Sequence, residues 1–191
     1  MIPRLRRKQI DEKLERIREL SRQLTYDNPA RVSSAVEELI NINDPRAIPY
    51  LARSLRYTSR KSAKTGKRFR ERFIKIEAMY GLGKLKHPDA IPHLAKLLLH
   101  KDGIIADIAA NTMAYTFNSV RTREEHRNHP AVRALRLIAP HVERYWPLAD
   151  SPNNSMIKEA FDIAIKRPTA FQDPSTASET MALLRRRRVA N

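Results

Sequence analysis

Apolar side chains recur at intervals of three and four residues along most of this chain. This spacing places them on one face of an α-helix and predicts a mainly helical protein. In the first such stretch, residues 5–24, charged residues separate the apolar positions Ile10, Leu14, Ile17, Leu20 and Leu24. We predict a helix that caps the helices after it and keeps its charged face in solvent. A coiled-coil arm for a partner helix is the alternative, although the stretch is shorter than the roughly three heptads such an arm needs.

The strongest pattern is a segment that occurs twice, because residues 35–55 align without a gap with residues 78–98, which lie 43 positions later. The identical positions are Ala35/Ala78, Leu39/Leu82, Pro45/Pro88, Ala47/Ala90, Ile48/Ile91, Pro49/Pro92, Leu51/Leu94, Ala52/Ala95 and Leu55/Leu98. Each copy has one helical stripe, then a turn at Asp44-Pro45 or His87-Pro88, then a second short stripe. A period near 40 residues with two helical halves predicts stacked helix pairs. Glycines at 81 and 83 predict that a neighbouring helix approaches closely.

Weaker helical patterns follow the two copies. We expect Asn28-Pro29 to start the first helix of the first copy. We also expect Asp102 to cap a helix whose apolar positions end at Tyr115, and Pro130 to open the helix that pairs with it. A shorter helix follows Pro152, and the segment after Pro168 is predicted to be loose up to about Ser178, before a short helix with Met181, Leu183 and Leu184. The predicted organisation is one domain over 1–167 (capping helix 1–27, first repeat 28–57, basic insertion 58–68, second repeat 69–100, degenerate third repeat 101–142, terminal helix 152–167) and a basic tail over 168–191.

Composition changes this picture mainly through charge. The formal net charge is +16, and the segments 1–24, 56–72 and 166–191 contribute +4, +7 and +4. The rest of the chain is therefore nearly neutral, and the basicity concerns partners and not the fold. Cysteine is absent, which excludes disulfides, thiolate metal sites and a cysteine nucleophile. No apolar run approaches about 18 residues and the charged N-terminus has no signal-peptide core, so we expect a cytoplasmic protein without a membrane span.

The motifs Asp44-Pro45-Arg-Ala-Ile-Pro49-Tyr-Leu and His87-Pro88-Asp-Ala-Ile-Pro92-His-Leu resemble the HEAT repeat. They look most like the subclass found in phycobilisome lyases, as does the preceding segment 78–86. The resemblance covers residues 28–99 well and residues 100–142 weakly. It implies an all-α protein, a right-handed solenoid of about three HEAT-like antiparallel helix pairs with extra helices at both ends and a concave face. Family members include chromophore lyases, assembly factors, adaptors and DNA-repair proteins, so the fold alone does not give the function.

The basic insertion, together with its flanks, is the leading candidate for a binding site. It is predicted to be a flexible loop, and its density of cations suits phosphate oxygens or a carboxylate-rich protein surface. Its candidate partner-binding residues are Arg56, Arg60, Lys61, Lys64, Lys67, Arg68, Arg70 and Arg72. A second cluster consists of Arg185, Arg186, Arg187 and Arg188. An acidic protein surface, a nucleic acid and a merely solvated loop all remain open for these cations.

Other chemistry is sparse in the sequence. His126 and His129 lie beside acids but have no further ligand pair at a recognisable spacing, so no metal or other cofactor is predicted. The Trp146 ring is predicted to fill the core, with a binding hot spot as the alternative. The predicted function is a non-catalytic scaffold that binds an acidic protein or assembly through its concave face and the basic loop. Nucleic-acid binding is the first alternative, and a lyase or DNA-glycosylase-like enzyme is the second.

Overall fold

The computed structural model describes the backbone of residues 4–58, 65–142 and 151–189 and the side chains of residues 8–58, 70–141 and 156–186. Within these ranges the regular structure is entirely helical, which confirms the predicted all-α class. The chain divides into two compact units, Met1–Leu85 and Lys86–Asn191. In the part of the chain that is described, no helix has both the length and the apolar character needed to cross a membrane.

The first unit contains four helices in its described backbone: α1 (Arg4–Gln23), α2 (Pro29–Ile42), α3 (Ile48–Ser54) and α4 (Thr65–Lys84). Helix α2 packs against α1 and α4, and α3 packs against α4. The apolar positions of the sequence pattern form the core, which includes Ile17, Leu20, Val32, Ala35, Leu39, Leu51, Ile74, Ala78 and Leu82. The first apolar position predicted on α1 lies outside this core, because the side chain of Ile10 is 39% exposed.

The two copies of the repeat turn the chain in the same way with different side chains. Asn43 ends α2 in the left-handed conformation (φ 50°), and Lys86, at the equivalent position of the second copy, has φ 47°. The next residue in each copy then accepts a hydrogen bond from the backbone N–H two residues further on. Asp44 does so through its carboxylate (2.9 Å) and His87 through Nδ1 (3.3 Å). The sequence repeat is therefore also a repeat of backbone conformation at the turn.

The second unit contains α5 (Ala90–Ala95), α6 (Gly103–Val120), α7 (Pro130–Val142), α8 (Ser151–Lys166) and α9 (Pro174–Val189) in its described backbone. Helix α6 packs against α5, α7 and α8, while α8 also packs against α7 and α9. The core includes Ile91, Leu94, Ile105, Ala109, Met113, Val132, Leu135, Ile138, Ile157 and Phe161. Asp102 caps α6 as predicted, because its carboxylate accepts a hydrogen bond from the N–H of Ile104 (3.2 Å). Tyr115 lies outside the core, since half of its side chain is exposed.

The prediction that the chain after Pro168 stays loose up to about Ser178 is wrong. A short 3-10 turn spans Pro168–Phe171, and α9 already begins at Pro174. Asp173 caps α9, accepting hydrogen bonds from the N–H groups of Ser175 and Thr176 (3.1 Å each). Ala177, Met181 and Leu184 are buried, whereas Leu183, predicted as apolar face, is 58% exposed. Burial of the side chains at 177, 181 and 184 provides packing energy for α9, which the polar composition of the segment did not indicate.

The prediction that the basic insertion stays a flexible loop as far as Arg68 is also wrong at its C-terminal end. Helix α4 begins at Thr65, so residues 65–72 lie on its first two turns. Glycine at position 66 does not prevent this, because a glycine costs a helix only about 1 kcal/mol relative to alanine. Packing of the rest of α4 against α2 and α3 supplies the compensating energy.

Candidate functional site

Four exposed side chains form a line along α4. We call Arg70, Phe73, Tyr80 and Lys84 the cation–aromatic stripe; the two rings are 52% and 59% exposed. At about 100° per residue, these positions fall within an arc of about 80° on one face of the helix. Large aromatic side chains are usually buried, so two on one exposed helix face with cations at both ends indicate a binding surface.

Buried residues on an adjacent face of α4 hold the stripe in place. Ile74, Ala78 and Leu82 are buried on that face. A Cβ atom on Gly81 would lie 2.4 Å from Cγ1 of Ile40, so a side chain here would require Ile40 to move, in line with the close helix approach that the sequence predicted. Glu77, between the two rings, accepts a hydrogen bond from the hydroxyl of Ser33 (2.7 Å). The stripe is therefore displayed on a helix that is fixed by packing.

A groove of about 560 Å³ lies elsewhere in the first unit, between the turn after α1 and the end of α3. Its lining includes Leu24, Tyr26, Asp27, Arg53, Arg56 and Tyr57. Hydrogen bonds three residues apart shape both walls, from Tyr26 N–H to Gln23 O (3.2 Å) and from Arg56 N–H to Arg53 O (3.0 Å). These bonds occupy carbonyls at the ends of α1 and α3, so side chains dominate the charge of the groove.

We call this surface the Arg–Tyr groove, after Arg53, Arg56, Tyr26 and Tyr57 in its lining. Its charged groups are mostly positive. Arg53 and Arg56 are exposed, and neither forms an ion pair with any residue that the structure describes. The guanidinium of Arg31 lies 5.5 Å from the ring centroid of Tyr26, a cation–π distance. Asp27 is the one acid among the described lining residues. Buried Leu24 and the two tyrosine rings add an apolar component to this positive surface.

Comparison with known families identifies one part of the chain. Residues 74–100 match the family model of the PBS lyase HEAT-like repeat. This segment is therefore similar to a HEAT-like repeat. The match covers the whole of the second copy found in the sequence (residues 78–98) and confirms the predicted resemblance to the HEAT-repeat family. The comparisons with curated proteins and with solved structures gave no match.

The predicted partner-binding cations whose side chains are described lie in three places. Arg56 lies at the groove. Arg70 and Arg72 lie on α4, where Arg70 is exposed and Arg72 is half-buried. The exposed cations Arg185 and Arg186 lie on α9 in the second unit. The side chains of the remaining predicted residues lie outside the described part: Arg60, Lys61, Lys64, Lys67, Arg68, Arg187 and Arg188. Trp146 also lies outside the described residues, so its role stays a prediction.

Two histidines contact Asp89, and a third histidine packs against one of them. His129 Nε2 lies 2.9 Å from Asp89 Oδ1, and His87 Nδ1 lies 3.4 Å from Asp89 Oδ2. The His126 ring meets the His87 ring edge-on, with 5.3 Å between centroids. Burial lowers the pKa of His87; the Asp89 carboxylate opposes this shift, and the nearby imidazole and cationic groups add to it more weakly. Among the described residues, no group of histidine and acidic side chains has a geometry suited to a metal ion.

Sequence reasoning identified one cation of each surface in the first unit, Arg70 and Arg56, but neither surface as a whole. The stripe had a detectable signal, because the inward positions Ile74, Ala78 and Leu82 were predicted and the outward positions follow from helical spacing. The groove had no comparable signal. It joins residues 24–27 to residues 53–58, and only the packing of separate helices brings these segments together.

Proposed function

We propose that this HEAT-like protein is a non-catalytic scaffold or adaptor that binds an acidic protein partner or assembly. The observation that carries the proposal is the cation–aromatic stripe on α4. Arginine, tyrosine and phenylalanine are enriched at the centres of protein interfaces, where a few residues dominate the binding energy. The cations at positions 70 and 84 would attract acidic groups, while the two rings would supply contact area.

The rigidity of the stripe supports this role. The backbone of a packed helix loses little conformational freedom on binding, so only the ordering of the side chains reduces the affinity. The remaining predicted cations extend the proposal: Arg56 to Arg72 on the first unit and Arg185 to Arg188 on the second would accelerate encounter with an acidic surface. A cytoplasmic location is part of the same proposal and is compatible with the absence of cysteine.

Nucleic-acid binding is the second candidate, favoured by the net charge of +16 and by exposed rings on which bases can stack. The dependence of affinity on salt concentration distinguishes nucleic-acid binding from binding of an acidic protein. A nucleic-acid complex loses affinity steeply and linearly in the logarithm of salt concentration, because each neutralised phosphate releases counterions. Absence of binding to DNA and RNA at about 50 mM salt would remove this candidate.

The central test is capture of partners from a native lysate with the full chain as bait, with and without nuclease. We expect acidic proteins, identified by mass spectrometry, to be retained after nuclease treatment. Tyr80→Ala should weaken retention by about thirtyfold, which corresponds to the roughly 2 kcal/mol of a hot-spot residue. Arg70→Ser/Lys84→Ser should weaken it through lost attraction.

The matched control is Lys101→Ser/Arg133→Ser, which removes two exposed cations from the second unit. It should retain partners as the wild type does, and thermal unfolding should confirm that all variants fold. The proposal fails if the stripe variants and this control bind equally well. It also fails if every captured protein disappears after nuclease treatment.

A further inference from the structure

We infer that the Arg–Tyr groove between the turn after α1 and the end of α3 binds an acidic peptide segment of the partner that carries an apolar side chain. The inference rests on the proposed function in taking the partner to be an acidic protein. It adds a second contact point in the same unit, separate from the cation–aromatic stripe.

The arginine side chains that line the groove suit the carboxylates of an acidic peptide. Guanidinium groups are planar donors that pair with carboxylates through two parallel hydrogen bonds. Arg53 and Arg56 are exposed at the groove and form no ion pair with any described residue, so both are available for such pairing. With Asp27 as the single described acid of the lining, the positive charge exceeds the negative, and Arg31 beside Tyr26 adds to it.

The volume of the Arg–Tyr groove and the apolar part of its lining also suit a peptide. A volume of about 560 Å³ falls inside the range of roughly 300–1,000 Å³ that is typical of ligand pockets. Leu24 is 6% exposed and Tyr57 is half-buried, so the floor offers apolar surface between the cations. An apolar side chain flanked by carboxylates would cover this floor and reach both arginines.

The surroundings of the Tyr26 ring favour a peptide over a nucleic acid as the ligand of the groove. Stacking of bases requires open ring faces, and Arg31 already covers one face of Tyr26 at 5.5 Å. An acidic peptide does not need that ring face, because its carboxylates can be spaced to meet Arg53 and Arg56.

The test uses the full chain with carbon-13-labelled tyrosine, and the six tyrosines of the sequence are assigned by Tyr→Phe variants. The probe is the capped peptide acetyl-Glu-Glu-Phe-Glu-Glu-amide. We expect saturable shifts of the ring signals of Tyr26 and Tyr57, with Tyr115 in the second unit unchanged. A peptide with glutamine in place of glutamate and a strand of ten thymidines should leave Tyr26 and Tyr57 unmoved.

The variant Arg53→Ser/Arg56→Ser should bind the acidic peptide roughly tenfold more weakly, since it loses two charge-assisted contacts. Arg53→Lys/Arg56→Lys keeps the charge and loses the fork geometry, so it should fall between that variant and wild type. Lys101→Ser/Arg133→Ser is the control for net charge and should bind as wild type does. Thermal unfolding checks that each variant is folded.

Four results would overturn the inference: unmoved Tyr26 and Tyr57 rings, equal shifts with the glutamine peptide, shifts with the thymidine strand alone, or equal affinity of the serine variant and the control. These failures concern the groove alone, because retention of native partners by the stripe variants is measured separately. Equal retention by the stripe variants and their control would sink the proposed function and leave the peptide result standing.

Discussion

Gly81 shows how tightly one residue can determine the contact between two helices. A Cβ atom at this position would meet Cγ1 and Cδ1 of Ile40 at 2.4 and 2.8 Å. Real Cβ atoms do not approach other heavy atoms so closely, so α2 and α4 would have to separate or Ile40 would have to leave its rotamer. Gly81 therefore sets the position of the helix that carries the cation–aromatic stripe.

We predict that Gly81→Ala destabilises the protein by about 1–3 kcal/mol, because overpacking outweighs the roughly 1 kcal/mol gained in helix propensity. Denaturant unfolding followed by circular dichroism measures this. Gly103→Ala is the matched control, since no heavy atom lies within 4 Å of its new Cβ. Equal stability of the two variants would contradict the close packing of α4 on Ile40.

His87 takes in the second copy of the repeat the capping position that Asp44 takes in the first. Its Nδ1 accepts a hydrogen bond from the N–H of Asp89, which requires Nδ1 to be unprotonated. Burial also disfavours the charged imidazolium and lowers the pKa of His87. The groups that face this ring are Asp89, His126, His129 and Arg123.

The sign of the pH effect follows from this lowered pKa. Below the ordinary value of 6.5, the unfolded chain binds a proton at His87 more readily than the folded chain does. Stability contributed by neutral His87 is therefore present above pH 6.5 and is lost as the pH falls below it. We predict that His87→Asn, which keeps an acceptor without a titratable ring, reduces the loss of stability between pH 7 and pH 5.

Thermal unfolding of the wild type and of His87→Asn at several pH values measures the difference. Asp89 and His129 are present in both proteins, so their contributions largely cancel in the comparison. Identical pH profiles of the two proteins would show that burial of His87 has no energetic consequence.

At the scale of helices, the sequence predicted those whose apolar stripe is regular and failed where the stripe is short. Helices α2 and α6 begin at predicted caps. The start of α9 was missed although Asp173-Pro174 is a good start signal, because the residues that follow are mostly small and polar. Of the described side chains of α9, only Ala177, Met181 and Leu184 are buried. The start of α4 was missed because its first two turns are strongly basic, and basicity alone does not distinguish a solvated loop from a solvated helix face.

We predict that α9 contributes to the stability of the second unit. Met181 is 2% exposed, and Met181→Ala should cost about 2–4 kcal/mol because it leaves a cavity against its neighbours. Leu183→Ala on the same helix is the control and should change stability by less than about 0.5 kcal/mol, since that side chain is 58% exposed. Thermal unfolding measures both, and equal effects would show that α9 does not pack as described.

At the scale of the molecule, the net charge of +16 makes repulsion between cations a general cost of folding. Surface ion pairs such as Arg16–Glu38 oppose this cost, but each exposed pair contributes only about 0–1 kcal/mol. The uneven distribution of charge was readable from the sequence. Which cations share a surface with aromatic rings was not, because that depends on helix starts and on contacts between distant segments.

We predict that raising sodium chloride from about 10 to 150 mM increases the melting temperature by about 2–4 °C, because the Debye length shortens from about 30 to 8 Å. Differential scanning calorimetry measures the change. Arg185→Ser/Arg186→Ser, which removes two exposed cations, should show a smaller increase. A decrease with salt would mean that attractive surface pairs outweigh repulsion.

The left-handed residues Asn43 and Lys86 have a consequence for the speed of folding. Each turn is closed by groups only a few residues apart, and neither requires a distant segment. Local closure of this kind takes about a microsecond or less, whereas contacts between remote helices must first pay the entropy of bringing the chain ends together. The corners of both copies can therefore form early in the folding of a nascent chain, before the helices on either side have found their partners.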